Sequence, residues 1–177
     1  MSDRAILDAT YVCVGFNIIT RIADALGFKI PAEELFVRAA KLLRIFGYKR
    51  LSGFWISGSS SKNTHDPYAK KVERLRHAVL HGPGSLPPHV RQAISEGARL
   101  PGPLEIFVRK IAAQASTLTD DDIAELHRAN YTDDQIFEAI VSAAVGAGLF
   151  RLECVLNLLR SNPTEADTPL KELAMRA

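Results

Sequence analysis

Apolar residues recur at helical spacing along most of the chain, and the alternation expected of strands is scarce. Over residues 3–26, Ile6, Val14, Ile18, Ile22 and Leu26 fall close to i, i+4 steps, which gathers them on one helix face. Ser2 is a suitable N-cap and Gly27 a suitable stop. Ala5, Leu7, Tyr11, Val12, Phe16, Ile19 and Ala23 extend the apolar surface nearly all round, so this helix needs cover on several sides. A second helix is expected after Pro31, with Leu35, Ala39, Leu42, Leu43 and Phe46 inward and Gly47 at its end.

The periodicity fails over residues 49–66, where Ser57-Gly-Ser-Ser-Ser-Lys-Asn-Thr reads as a flexible linker and Trp55 as an aromatic packed just before it. It resumes at Asp66-Pro67, a cap followed by a first-turn proline, and runs to His81. Gly82-Pro-Gly-Ser-Leu-Pro-Pro is a turn. Short helices follow over residues 89–97, 104–116 and 120–129. The longest covers 132–160 and opens on Thr132 and Gln135, which have capping-box spacing. The residues beyond Asn162-Pro163 form a polar tail, expected to fray. The division is thus a helical hairpin (1–48), a linker (49–66), a helical core (67–160) and a tail (161–177).

Composition narrows the class. The 177 residues carry 22 Lys and Arg against 20 Asp and Glu, a net charge of +2, so no concentrated basic face for nucleic acid is expected. Cys13 and Cys154 stand far apart in apolar runs, which predicts buried, inert thiols rather than a disulfide or zinc framework. The opening residues lack signal-peptide character, and the longest uncharged run, 139–150, is shorter than the ~20 residues a bilayer span needs. A soluble cytoplasmic protein without a membrane or nucleic-acid partner is expected.

The chain also repeats itself. Shifted by 130 residues, Ser2-Asp3 falls on Thr132-Asp133, Ile6 on Ile136, Asp8 on Glu138, Ala9 on Ala139, Arg21 on Arg151 and Leu26 on Leu156. Cap, acid, arginine and apolar finish agree without a gap, which suggests two related half-bundles. Asn17, Arg21 and Ala23 to Gly27 resemble the end of the closing helix in the carboxymuconolactone decarboxylase and alkylhydroperoxidase D family. Leu118-Thr-Asp-Asp-Asp-Ile-Ala-Glu-Leu, Tyr131-Thr-Asp-Asp-Gln-Ile-Phe-Glu-Ala and Gly148-Leu-Phe-Arg-Leu-Glu are similar to that family as well. Together these regions cover about half the chain. The resemblance implies an all-α, alkylhydroperoxidase D-like (AhpD-like) bundle with an internal helix-hairpin repeat, arranged either as a permuted single bundle or as a remnant half joined to a second unit.

The family's peroxidase members use a Cys-x-x-Cys pair with a nearby His and Glu, chemistry that needs a low-pKa thiolate and a resolving thiol one turn away. This chain has no such pair, so no position carries over as the peroxidatic residue. Other candidates remain. His77 and His81 share a helix face at two-His metal-site spacing, with His89 as a third ligand if the turn folds back, although a polar helix end has the same sequence. His127 and Gln114, on neighbouring predicted helices, are candidates for proton carrier and hydrogen-bond donor in a shared cavity, against the plainer reading of a solvated helix-end histidine. Glu138 and Arg151 mark the longest helix, with Glu153 beside them, and acid–arginine pairing with Asp8, Arg21 or Asp24 of the first helix is a structural expectation. Between Glu138 and Arg151, Ala139, Ser142, Ala143, Ala144, Gly146, Ala147 and Gly148 allow close helix packing or leave room for a small ligand.

The leading expectation is a non-redox helical protein or subunit that self-associates or joins a related AhpD-like subunit, without a cofactor and without thiol peroxidase activity. The alternative is a cysteine-independent acid–base enzyme, a decarboxylase or isomerase acting on a small carboxylate or lactone.

Overall fold

The computed structural model describes residues 3–28, 37, 40–41, 66 and 68–161. Apart from residues 37 and 40–41, the second expected helix lies outside the described residues, as do Trp55, the linker up to His65, the Ser2 cap and the tail from Asn162. Those described are all-α, with no strand among them. The elements are α1 (Asp3–Ala25), α2 (Ala69–His81), α3 (Pro88–Ser95), α4 (Pro103–Gln114), a 3-10 turn (Ala115–Thr117), α5 (Asp120–Arg128) and α6 (Asp133–Ser161).

Local chemistry sets their ends. Gly27 stops α1 at φ +64°, where its N–H reaches the Asp24 carbonyl and the Phe28 N–H the Ala23 carbonyl, so two terminal carbonyls of the helix are satisfied. The Asp66 carboxylate accepts the Tyr68 and Ala69 amides ahead of α2, which starts two residues beyond the expected proline. Pro88 and Pro103 occupy the first positions of α3 and α4. The Thr132–Gln135 capping box forms at the start of α6, with reciprocal bonds of 3.0 and 3.3 Å. A second box, Thr119 with Asp122, opens α5.

The long helix α6 is the axis of the bundle. It packs against α1, α3 and α4 most extensively, and against α2. Ala139, Ile140, Ser142, Ala143, Ala144 and Val145 are buried in it, against Leu104, Phe107, Ile111 and Leu126 of α4 and α5. Its small residues serve close packing. A Cβ at Gly146 would lie 2.3 Å from the Ser95 carbonyl oxygen, and one at Gly148 would lie 2.4 Å from Cγ1 of Ile18. Gly146 therefore admits the end of α3, and Gly148 admits α1.

At its other end α1 is latched to the start of α2. The Tyr11 hydroxyl donates to Asp66 at 2.5 Å, the Tyr68 hydroxyl donates to Asp8 at 3.0 Å, and the two rings lie 4.7 Å apart. Burial, then the Asp66 carboxylate, push the Tyr11 phenol well above its ordinary pKa, so it stays protonated and keeps donating.

Two expectations about α1 and α6 are corrected. Cys13 and Cys154 are exposed, because each sits on the side of its helix turned away from the bundle. The apolar neighbours of Cys13 in sequence, Val12 and Phe16, are exposed with it. The expected acid–arginine pair between the helices is also absent among the described residues, and two of the acids are engaged elsewhere. Asp8 holds Arg4 and Tyr68, and Glu138 holds a loop. Arg21 and Arg151, the arginines matched by the repeat, instead lie within each other's electrostatic reach.

One pH-dependent contribution can be read from α5. Asp122 bonds Lys110 at 2.6 Å and accepts the Thr119 amide and hydroxyl, and chiefly the Lys110 bond holds its carboxyl below the usual aspartate range. A carboxylate with a depressed folded-state pKa stabilises above its unfolded value and loses that contribution as pH falls through the folded one. Asp122→Ala is expected to cost about 2 kcal/mol at pH 7. Urea titrations at pH 7 and at about pH 3 should show the gap between the proteins narrowing in acid. An equal gap at both values would remove the ion pair from the explanation.

Candidate functional site

The candidate residues are not assembled into one centre. Glu138, near the start of α6, accepts the Ser85 and Leu86 amides at 2.6 and 2.8 Å. A Cβ at Gly84 would lie 2.7 Å from the same carboxylate, so this loop passes it at glycine distance. Glu138 is thereby a loop anchor whose oxygens are both engaged. His127 is exposed at the end of α5, where Nδ1 donates to the Tyr131 carbonyl at 3.1 Å and Nε2 meets Asp133 at 3.2 Å. Gln114 is exposed where α4 ends. His127 turns to the start of α6, and neither it nor Gln114 lines the groove at Arg151.

His77 and His81 do share a face of α2, with ring centres 5.5 Å apart. Both are exposed, and among the described residues no group of three potential metal ligands forms, so His89 does not join them. The turn folds otherwise, because Arg91 from α3 enters it. Arg91 is 3% exposed and donates to the carbonyls of Val79, at 2.8 Å, and Gly82. It thus supplies donors and positive charge to the C-terminal end of α2, where the peptide dipoles concentrate negative charge. Sequence reasoning did not single it out. An arginine three residues into a short helix after Pro-Pro looks like a surface residue, and only the return of the loop buries it.

Arg151 has a different setting. It lines an open groove of about 710 Å³ framed by α2, α3, α4 and α6. The floor is small and apolar: Ala112, Ala113, Ala143, Gly146 and Ala147, flanked by Leu149 and Phe150. Arg76 and Arg109 stand at the rim with Arg151, and Glu96 and Glu153 also line it. Arg109 is paired with Glu105 at 2.7 Å, and Arg76 approaches Glu73 at 3.9 Å. Arg151 has no carboxylate within ion-pair distance among the described residues. Its guanidinium bonds the Ala147 and Ala112 carbonyls at 2.8 and 3.5 Å. Arg21, across the α1–α6 contact, is held below the ordinary arginine range by burial and then by the charge of Arg151. Arg21 Nε and Asn17 Oδ1 are buried without hydrogen-bond partners.

A second surface feature is apolar. Val12, Phe16 and Ile19 are 58–64% exposed and succeed one another at steps of four and three, so they form one stripe on the outer side of α1. Leu26 and Phe28 are exposed beyond it. Both α1 and α6 are long and apolar enough to cross a membrane by length and composition, but 11% of the apolar stretch in α1 is buried, against 56% in α6. Of the two helices, α1 thus leaves more of its apolar stretch exposed. No family model, curated protein or solved structure matches the chain.

Proposed function

We propose that this chain is an oligomerising helical protein of the alkylhydroperoxidase D type, without thiol peroxidase activity, and that its copies associate through the outer face of α1. The Val12–Phe16–Ile19 stripe carries the reading: large apolar side chains grouped on one helix face mark an interaction surface. Phe16 is central in the stripe, so a two-fold axis near it would set Val12 of one copy against Ile19 of the other, the reciprocal pattern of a dimer. Lipid is a poorer cover. Although α1 is long and apolar enough to cross a bilayer core, its other face is held to α6 at Gly148 and to the start of α2 by the Tyr11–Asp66 and Tyr68–Asp8 bonds. Asp3, Asp8 and Asp24 outnumber Arg4 and Arg21 on α1, whereas interfacial helices carry a basic polar face. The packing of α1 against α6 supports the two-fold kinship inferred from the 130-residue repeat, and the Asn17–Arg21–Ala23 motif supports the family proposal.

Light scattering tests the interface. Phe16→Glu and Ile19→Glu are each expected to weaken association by about thirtyfold or more, the weight of an interface hot spot. Ile106→Glu, a change at an exposed position on α4, is expected to leave it unchanged. Dissociation by Ile106→Glu with Phe16→Glu silent would move the interface elsewhere. Sedimentation with anionic vesicles, abolished by Phe16→Glu, would replace the second copy with a membrane.

A further inference from the structure

We propose that the groove at Arg151 binds a small amphipathic monocarboxylate, its carboxylate on the Arg151 guanidinium and its apolar body against Ala112, Ala143 and Ala147. The inference is separate from the oligomer reading. The groove, at about 710 Å³, has the size of a small-molecule site. Its floor offers no side-chain hydrogen-bonding group where Ala112, Ala143, Gly146 and Ala147 meet, so the body of a ligand there must be apolar.

The polar end is specified by Arg151. A guanidinium has five N–H donors, and Arg151 directs two of its nitrogens at backbone carbonyls while none of its donors meets a carboxylate. A planar fork with free donors matches a carboxylate. Arg21 of α1 adds a second positive charge within electrostatic reach of Arg151, only partly offset by Asp24, which forms no ion pair with it. A bound anion would relieve the repulsion between the arginines. Glu96 and Glu153 limit how much negative charge the groove accepts, which favours a monoanion over phosphate.

The test is calorimetric titration of the full chain with octanoate, with octylamine and inorganic phosphate in parallel. Octanoate is expected to bind, and the other two to bind at least tenfold more weakly. Arg151→Gln should weaken octanoate about tenfold or more, the usual weight of a charge-assisted hydrogen bond, and Arg151→Lys should weaken it less. Arg151 is exposed, so neither change threatens the fold, and circular dichroism verifies this. Arg128→Gln, at the end of α5 outside the groove, should leave binding as it was. Equal binding of octylamine would reveal apolar adsorption and overturn the proposal. So would equal binding of phosphate, absence of octanoate binding, or octanoate binding indifferent to Arg151→Gln.

Discussion

Arg91→Ala is expected to lower the stability of the protein by about 3 kcal/mol or more. The side chain is buried, and its guanidinium serves the Val79 and Gly82 carbonyls at the end of α2. Truncation would strip both carbonyls of their donor inside a packed junction, where an unsatisfied polar group costs about 1–3 kcal/mol. It would also remove the aliphatic stem, which packs as an apolar group, and the positive charge that complements the helix C-terminus. Arg91→Met retains the stem without the donors and should recover only the packing part. Arg91→Lys keeps charge without the fork and should fall between Met and the native residue. Urea denaturation of the three variants measures this order. If Met proved as stable as Arg, the two carbonyl bonds would contribute nothing and α2 would owe its end to the loop alone.

Gly146→Val is expected to cost about 3 kcal/mol, although most substitutions of a mid-helix glycine gain from propensity. The new Cβ would meet the backbone of Ser95 at 2.3–2.8 Å, and backbone cannot rotate away as a side chain can. Either α3 must move off α6 or α6 must bend, and both disturb the contact of Ile94 with the core. Gly15 on α1 provides the internal comparison, since nothing lies within 4 Å of its Cβ position. Gly15→Ala should stabilise by up to about 1 kcal/mol through propensity alone. Opposite signs at the two glycines, read as midpoint shifts in the same denaturant series, would separate close packing from helix preference. A stabilising Gly146→Val would contradict the close approach of α3.

The helices were legible because their signals are local. The capping residues Thr132 and Gln135, the stop at Gly27 and the apolar steps of α1 each act within a turn or two of the residue that carries them. The small stripe of α6 was legible as a packing surface, and Gly146 and Gly148 show which helices use it. What escaped depends on the return of the chain. Glu138 reads as a candidate acid until the Ser85–Leu86 loop arrives and takes both its oxygens. Arg91 reads as a surface residue until the same loop closes over it. Cys13 reads as buried because its neighbours are apolar, yet Val12 and Phe16 face outward with it. Arg21 and Arg151 read as partners for acids, but Asp8 and Glu138 sit a helical half-length away and find Tyr68 and the loop amides first. Periodicity reports which residues share a face; it does not report what that face meets.

Sedimentation equilibrium of the full, unmodified chain over a wide dilution series tests the association of α1 faces most directly. The proposed association through Val12, Phe16 and Ile19 predicts an assembly at a multiple of 19.4 kDa that dissociates only on dilution. A single species of 19.4 kDa across the whole range would contradict the account.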